Sequence, residues 1–243
     1  MVGTGEVVGR GGGLDGGGGW DGVELGSCFV SADIAKPSDS PNMVVPNICR
    51  VAVYCGSSGG TRPEYEAAAT ATGRILAGLG FELVYGGGHV GLMGAVADAV
   101  LAEGGVVRGV ITEALFDAEV GHLGLTSLEV VSTMHERKAR MADLADAFLA
   151  LPGGFGTLDE LCEVLTWTQL GIQQKPIALV NVGGYWDPLL AMAAMSASEG
   201  FMKAVHRDLL RSAADPAEAI ALLMMPLPVP EPKWAGRRND VRR

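Results

Sequence analysis

The run Pro152-Gly153-Gly154-Phe155-Gly156-Thr157-Leu158-Asp159-Glu160 joins a glycine-rich turn to a hydroxyl and two carboxylates. Glycine lets backbone N–H groups come close to phosphate oxygens, and a helix starting there adds its positive end. Gly154, Gly156 and Thr157 are therefore a candidate phosphate cradle, with Glu160 about one turn into the following helix. A carboxylate so near a bound phosphate weakens binding unless it serves a reaction. The same spacing equally suits Asp159 and Glu160 as acidic residues complementing a helix dipole. Spacing alone does not choose between the two. The run is neither a Walker loop, lacking Gly-Lys-Ser/Thr, nor a GxGxxG dinucleotide fingerprint.

A second candidate is Met134-His135-Glu136-Arg137-Lys138, which follows a short apolar stretch and opens a helical pattern. Its cations can face the same edge as the glycine turn, although an isolated charged pentamer is more often a solvated helix face. His135 has no nucleophile to pair with. His89, His122 and His206 are scattered and suggest no metal site. Cys28, Cys49, Cys55 and Cys162 show no CxxC spacing, so neither zinc nor a disulfide framework is expected, and a cytoplasmic setting fits best.

The elements that must position these residues recur in one cycle. Arg50–Cys55 reads as a buried strand, followed by a turn from Gly56 to Gly60 and a helix from Pro63 to about Leu79. Phe81–Tyr85 is a second strand, ending in Gly86-Gly87-Gly88 before a helix from Gly91 to about Glu103. Gly105–Ile111 is a third, followed by a less regular segment to Ser127. Leu128–Val131 leads into a helix over Met134–Leu144. Ala147–Leu151 leads into the Pro152 turn and a helix from about Thr157 to Leu170. Pro176–Val182 leads into a helix over Tyr185–Glu199, and PLPVPEP from Pro226 ends regular structure. Near-continuous apolar strands alternating with helices predict an α/β fold, a Rossmann-like doubly wound parallel sheet with helices on both faces. Ligands of such sheets bind beyond the carboxyl ends of the strands, where three glycine turns fall here.

Composition bounds the alternatives. Of 36 glycines in 243 residues, twelve precede residue 27, so residues 1–47 are expected to be a disordered glycine-rich tail ahead of a folded domain over 48–228. Lys233–Arg243 holds five basic residues and one acidic one, which makes 229–243 a basic tail. The net charge of −10 argues against nucleic acid as the main partner. No stretch reaches the ~18 apolar residues of a membrane span, so no membrane partner is expected.

The chain resembles the LONELY GUY family of cytokinin-activating phosphoribohydrolases, long labelled lysine decarboxylases. The resemblance rests on Cys55-Gly56-Ser57-Ser58, Tyr85–Gly88 with Gly91-Leu92-Met93-Gly94, Met134–Lys138, Pro152–Glu160, and Leu165–Ile172 with Lys175-Pro176. It implies hydrolysis of the N-glycosidic bond of a cytokinin riboside 5′-monophosphate, and in several members of AMP, with no cofactor. It also implies a homodimer or larger homo-oligomer, for which Leu161–Leu170 is a candidate contact. By this resemblance Arg137 and Glu160 form the catalytic pair. The substrate-binding set is Ser57, Gly87, Gly88, Gly153, Gly154, Phe155, Gly156, Thr157, Leu158 and Asp159, completed by Glu119, Lys138 and Thr166.

The implied chemistry is coherent. Glycosidic cleavage passes through an oxocarbenium-like sugar. A carboxylate beside the ribose stabilises that charge and orients or deprotonates water. Arginine stays protonated in proteins, so Arg137 suits electrostatics and orientation before proton transfer. A nucleotide- or molybdenum-cofactor-binding carrier of the same fold would keep the glycine turns but needs no such pair. A literal lysine decarboxylase needs a Schiff-base lysine and a pyridoxal phosphate pocket, and Lys138 and Lys175 lie in motifs the hydrolase already explains.

Overall fold

Parallel pairing runs through the whole main sheet of the computed structural model, which describes residues 43–119 and 121–228. In chain order the elements are β1 (Met43–Val44), β2 (Arg50–Tyr54), α1 (Pro63–Gly78), β3 (Glu82–Tyr85), α2 (Gly91–Ala102), β4 (Val107–Thr112) and α3 (Glu113–Glu119). Then follow β5 (Ser127–Val131), α4 (Met134–Leu144), β6 (Ala147–Ala150), α5 (Phe155–Leu170) and β7 (Ile177–Val180). A 3-10 turn (Val182–Gly184), α6 (Asp187–Ser198), α7 (Ala204–Arg207), β8 (Arg211–Ala213), α8 (Pro216–Met224) and β9 (Leu227–Pro228) complete the chain.

The seven-stranded order is β5-β4-β3-β2-β6-β7-β8. The chain winds outward from β2 to β5, then returns to the other side of β2 with β6. That reversal makes the carboxyl edge between β2 and β6 the switch point where such folds bind ligands. Both strands are apolar and buried because helices cover both faces. One core layer packs Val51, Val53, Leu83 and Leu149 against Leu76 of α1, Val96 of α2 and Ile220 of α8. The other packs Ala52, Val84, Phe148 and Leu179 against Met141 of α4 and Leu161 of α5. The expected doubly wound architecture is borne out.

Three features depart from the expectations. The sheet has a seventh strand, β8, and α8 follows it. The ribbon β1–β9 pairs Met43 with Pro228 and Val44 with Leu227, so regular pairing begins before Ile48 and continues past Pro226. Cys55 and Cys162 are free thiols, whereas Cys49 is disulfide-bonded. Spacing rules that look for CxxC pairs do not detect a bond made outside such a motif. The expected tails over 1–42 and 229–243 lie outside the described residues. Among the described residues no helix is long and apolar enough to cross a membrane.

Candidate functional site

Two strand-to-helix turns meet at the switch point. After β2 comes Cys55-Gly56-Ser57, and after β6 comes Pro152-Gly153-Gly154, tied together by Gly56 N–H donating to the Pro152 carbonyl at 3.0 Å. Gly153 must be glycine, because a Cβ there would lie 2.1 Å from Thr157 Oγ1 and 2.8 Å from the Gly56 nitrogen. α5 begins directly at Phe155, earlier than the expected Thr157, with Gly154 as an N-cap that brings no side-chain acceptor. Its first amide N–H groups, which have no partner within the helix, face an open cleft of about 310 Å³. That is the geometry of an anion seat.

The cleft is lined by Ser57, Gly154, Phe155, Gly156 and Thr157 on the phosphate-cradle side and by Arg137 and Glu160 at its base. Arg137 projects from the first turn of α4. Its Nε donates to the Val110 carbonyl and its Nη2 to the Gly86 carbonyl, both at 3.0 Å. Gly86 leaves room for this, since a Cβ would sit 2.1 Å from Nη2. The guanidinium is thereby fixed at 7% side-chain exposure, with Nη1 3.7 Å from Glu160 Oε1. The solvated-face account holds for His135 and Glu136, which are exposed, and fails for Arg137.

Glu160 is 13% exposed and sits in the second turn of α5, beyond the reach of a first-turn dipole role. Burial pushes its carboxyl up to about 7, outweighing the opposing pull of the Arg137 charge, with Asp159 adding to the rise. A carboxyl that titrates near neutrality can exchange protons during turnover. Burial likewise raises the Cys55 thiol far above its ordinary value, which leaves that cleft-lining sulfur unreactive.

Other expected residues fall elsewhere. Lys138 Nζ bonds Asp159 Oδ2 at 2.9 Å and approaches Glu163 Oε1 at 3.4 Å, so Lys138 and Asp159 brace α4 against α5 beside the cleft. Burial opposes the lysine's charge, but these acidic partners raise its pKa overall. Leu158 packs into the core layer under α5. Thr166 donates to the Cys162 carbonyl one turn back at 2.7 Å, an ordinary helix-face contact away from the cleft. Gly87 and Gly88 are buried against the 121–122 segment and do not line the cleft, whereas Gly86 does. Gly153 lines an adjoining cavity of about 290 Å³. Glu119 ends α3, and its side chain lies outside the described residues. The apolar wall formed by Met93, Leu115 and Met134 was not foreseen. Its members come from α2, α3 and α4, and no short motif joins them.

Residues 93–223 match a family model described as "Possible lysine decarboxylase". Over 164 residues the chain is 52% identical to the probable cytokinin riboside 5′-monophosphate phosphoribohydrolase LOGL1 of Oryza sativa subsp. japonica, spanning 68% of this chain and 74% of that protein. It is 47% identical over 174 residues to the cytokinin riboside 5′-monophosphate phosphoribohydrolase LOG7 of Arabidopsis thaliana, spanning 72% and 80%. The chain belongs to this phosphoribohydrolase family.

Among solved structures, the Moco carrier protein of Chlamydomonas reinhardtii superposes with a TM-score of 0.54 at 21% identity, over 71% of this chain and 93% of that one. The molybdenum cofactor binding protein of Rippkaea orientalis gives 0.55 at 21% over the same shares. These likenesses concern the fold alone. Phosphoribohydrolase membership also disposes of the literal decarboxylase label, and the site agrees. Lys138 is held by Asp159 and Glu163, Lys175 donates to the Ala142 carbonyl at 2.7 Å, and neither lines the cleft. The residues present do not fit pyridoxal phosphate.

Proposed function

We propose that the chain hydrolyses the N-glycosidic bond of cytokinin riboside 5′-monophosphates, and of AMP, to free base and ribose 5-phosphate. The observation that carries this is the largely buried Arg137–Glu160 pair facing an uncapped helix start in one cleft. In this reading the 5′-phosphate sits on the amides of Gly154–Thr157 beside Ser57. The ribose then lies over Glu160, whose ionised form stabilises the oxocarbenium-like sugar and takes a proton from the attacking water. Arg137 orients Glu160 and holds its charge in place. Met93, Leu115, Met134 and Phe155 offer apolar surface to the base and an N6 substituent. Residues 43–228 form the hydrolase domain, which extends the expected 48–228 by the ribbon strand β1, with 1–42 and 229–243 as tails. The protein works as a homodimer or larger homo-oligomer. Leu161 and Val164 of the expected contact Leu161–Leu170 are buried in the core, and the supporting features are the exposed Phe155 at the start of α5 and Ile172 just beyond its end.

The test is product analysis with isopentenyladenosine monophosphate, its unphosphorylated riboside and AMP in parallel. Free base is expected from both monophosphates and little from the riboside. Equal release from the riboside would refute phosphate recognition. Tight nucleotide binding without base release would favour a carrier.

A further inference from the structure

The anion seat on α5 is only as good as the loop that holds it, and that loop has a fastening outside the motif. Tyr185, from the turn after β7, donates its phenolic O–H to the Gly153 carbonyl. The two residues are 32 positions apart in sequence. We propose that Tyr185 is a positioning residue for phosphate binding, locking the Pro152–Gly154 turn so that the first amides of α5 converge on the 5′-phosphate. The proposal rests on the hydrolase reading of the cleft and adds a residue to it.

The turn carrying Tyr185 is constructed around that contact. Asn181 Oδ1 accepts the Trp186 amide at 2.7 Å, and its Nδ2 donates to Asp187 Oδ1 at 2.8 Å. Gly183 and Gly184 both have positive φ, 57° and 75°, which turns the chain back before Tyr185. The ring is then gripped edge-on by Tyr65 of α1 at 5.8 Å and by the buried Trp186 at 5.0 Å between centroids. With the ring contacted on two sides although 37% exposed, the hydroxyl reaches Gly153 at a reduced ordering cost for the side chain. Gly153 is itself wedged between the Gly56 nitrogen and Thr157 Oγ1, so a shift there moves both walls of the seat. A loosened loop weakens phosphate binding but leaves Arg137 and Glu160, which are anchored on α4 and within α5, in place.

The test is Tyr185→Phe, which keeps the ring and removes one hydrogen bond. Affinity for ribose 5-phosphate and for inorganic phosphate is measured by calorimetry, alongside KM and kcat for the nucleotide. A net hydrogen bond is worth about 1 kcal/mol, so both affinities are expected to fall roughly three- to tenfold, with KM rising in parallel. The expected kcat stays within about twofold of wild type. Tyr185→Leu, which removes the ring as well as the hydroxyl, distinguishes loss of packing from loss of the bond, since only a fall beyond that of Tyr185→Phe belongs to the ring contacts. Unchanged phosphate affinity in Tyr185→Phe, or a fall in kcat with KM intact, overturns the proposal. If wild type turns over nucleotide and the variant binds phosphate normally, the hydrolase reading survives and Tyr185 does not. If Tyr185→Phe weakens phosphate binding in a protein that hydrolyses nothing, the positioning role stands and the hydrolase reading falls. A wild type that binds no phosphate overturns both.

Discussion

Two helices start at the same edge of the sheet, and their N-termini are treated in opposite ways. α4 is sealed by its own side chains: Thr133 Oγ1 accepts the Glu136 amide at 3.2 Å, and Glu136 Oε2 accepts the Thr133 amide at 3.1 Å. α5 starts at a bare glycine with no side-chain cap. The sealed helix has no seat for an anion, but its first turn is stiff enough to aim Arg137 across the sheet at Glu160. The open helix leaves its amides for a ligand. The carboxylates divide the same way. Glu136 is an exposed first-turn residue completing a cap, whereas Glu160 is largely buried one turn further along and stabilises no helix end.

The largest expected effect comes from Glu160→Gln. Turnover should fall by roughly 10²-fold or more, the scale of general-base and electrostatic contributions, with nucleotide binding intact or tighter. In wild type, turnover should rise with pH through about 7 as Glu160 ionises. Because its folded-state pKa lies above the unfolded value, Glu160 favours the folded state most below that unfolded value. This contribution is lost as pH rises through about 7, and the glutamine variant should flatten both profiles. Near-normal turnover with a lower melting temperature would place Glu160 beside Glu136 as a helix-end residue.

A smaller effect should come from closing the open helix. Gly154 has an ordinary φ of −88°, and an added Cβ would meet nothing within 4 Å, so Gly154→Asp fits sterically. The new carboxylate would occupy the free amides and repel phosphate. KM should rise about tenfold while stability increases by a few tenths of a kcal/mol. Unchanged KM would mean that phosphate does not use this helix start. The smallest effect is expected from opening the sealed one. Thr133→Ala should cost about 1 kcal/mol of stability in thermal unfolding and leave KM nearly unaltered. A large KM increase would show that α4 also holds substrate.

Much of this was legible in the chain because strands and turns here are local events. Within Arg50–Cys55 every residue after Arg50 is apolar or aromatic, Ala147–Leu151 is apolar throughout, and each run leads into a glycine-containing turn, so their role at the switch point can be read directly. The α4 boundaries were readable from Met134 to Leu144 because the first-turn charges and the apolar spacing agree. By contrast, β8 is three half-buried residues, Arg211-Ser212-Ala213, with no apolar run to betray it. α8 did carry a start signal in Asp215-Pro216, which the proline-rich segment after it obscured. Within the site, Arg137 and Glu160 were paired by resemblance, since their burial depends on the Gly86 and Val110 carbonyls, which are distant in sequence. Thr166 is illegible for the converse reason. A hydroxyl in a motif says nothing about whether it bonds a ligand or its own helix.

The small ribbon of β1 and β9 has a topological consequence. It brings the entry and exit of the folded body side by side at the amino edge of the sheet, away from the carboxyl edge where the cleft opens. The domain is therefore close to a closed ring whose starting point is arbitrary. A short bridge across that ribbon, with the chain reopened at the exposed Gly104 between α2 and β4, would yield a circular permutant. Every strand, turn and helix that builds the cleft would remain covalently continuous in it.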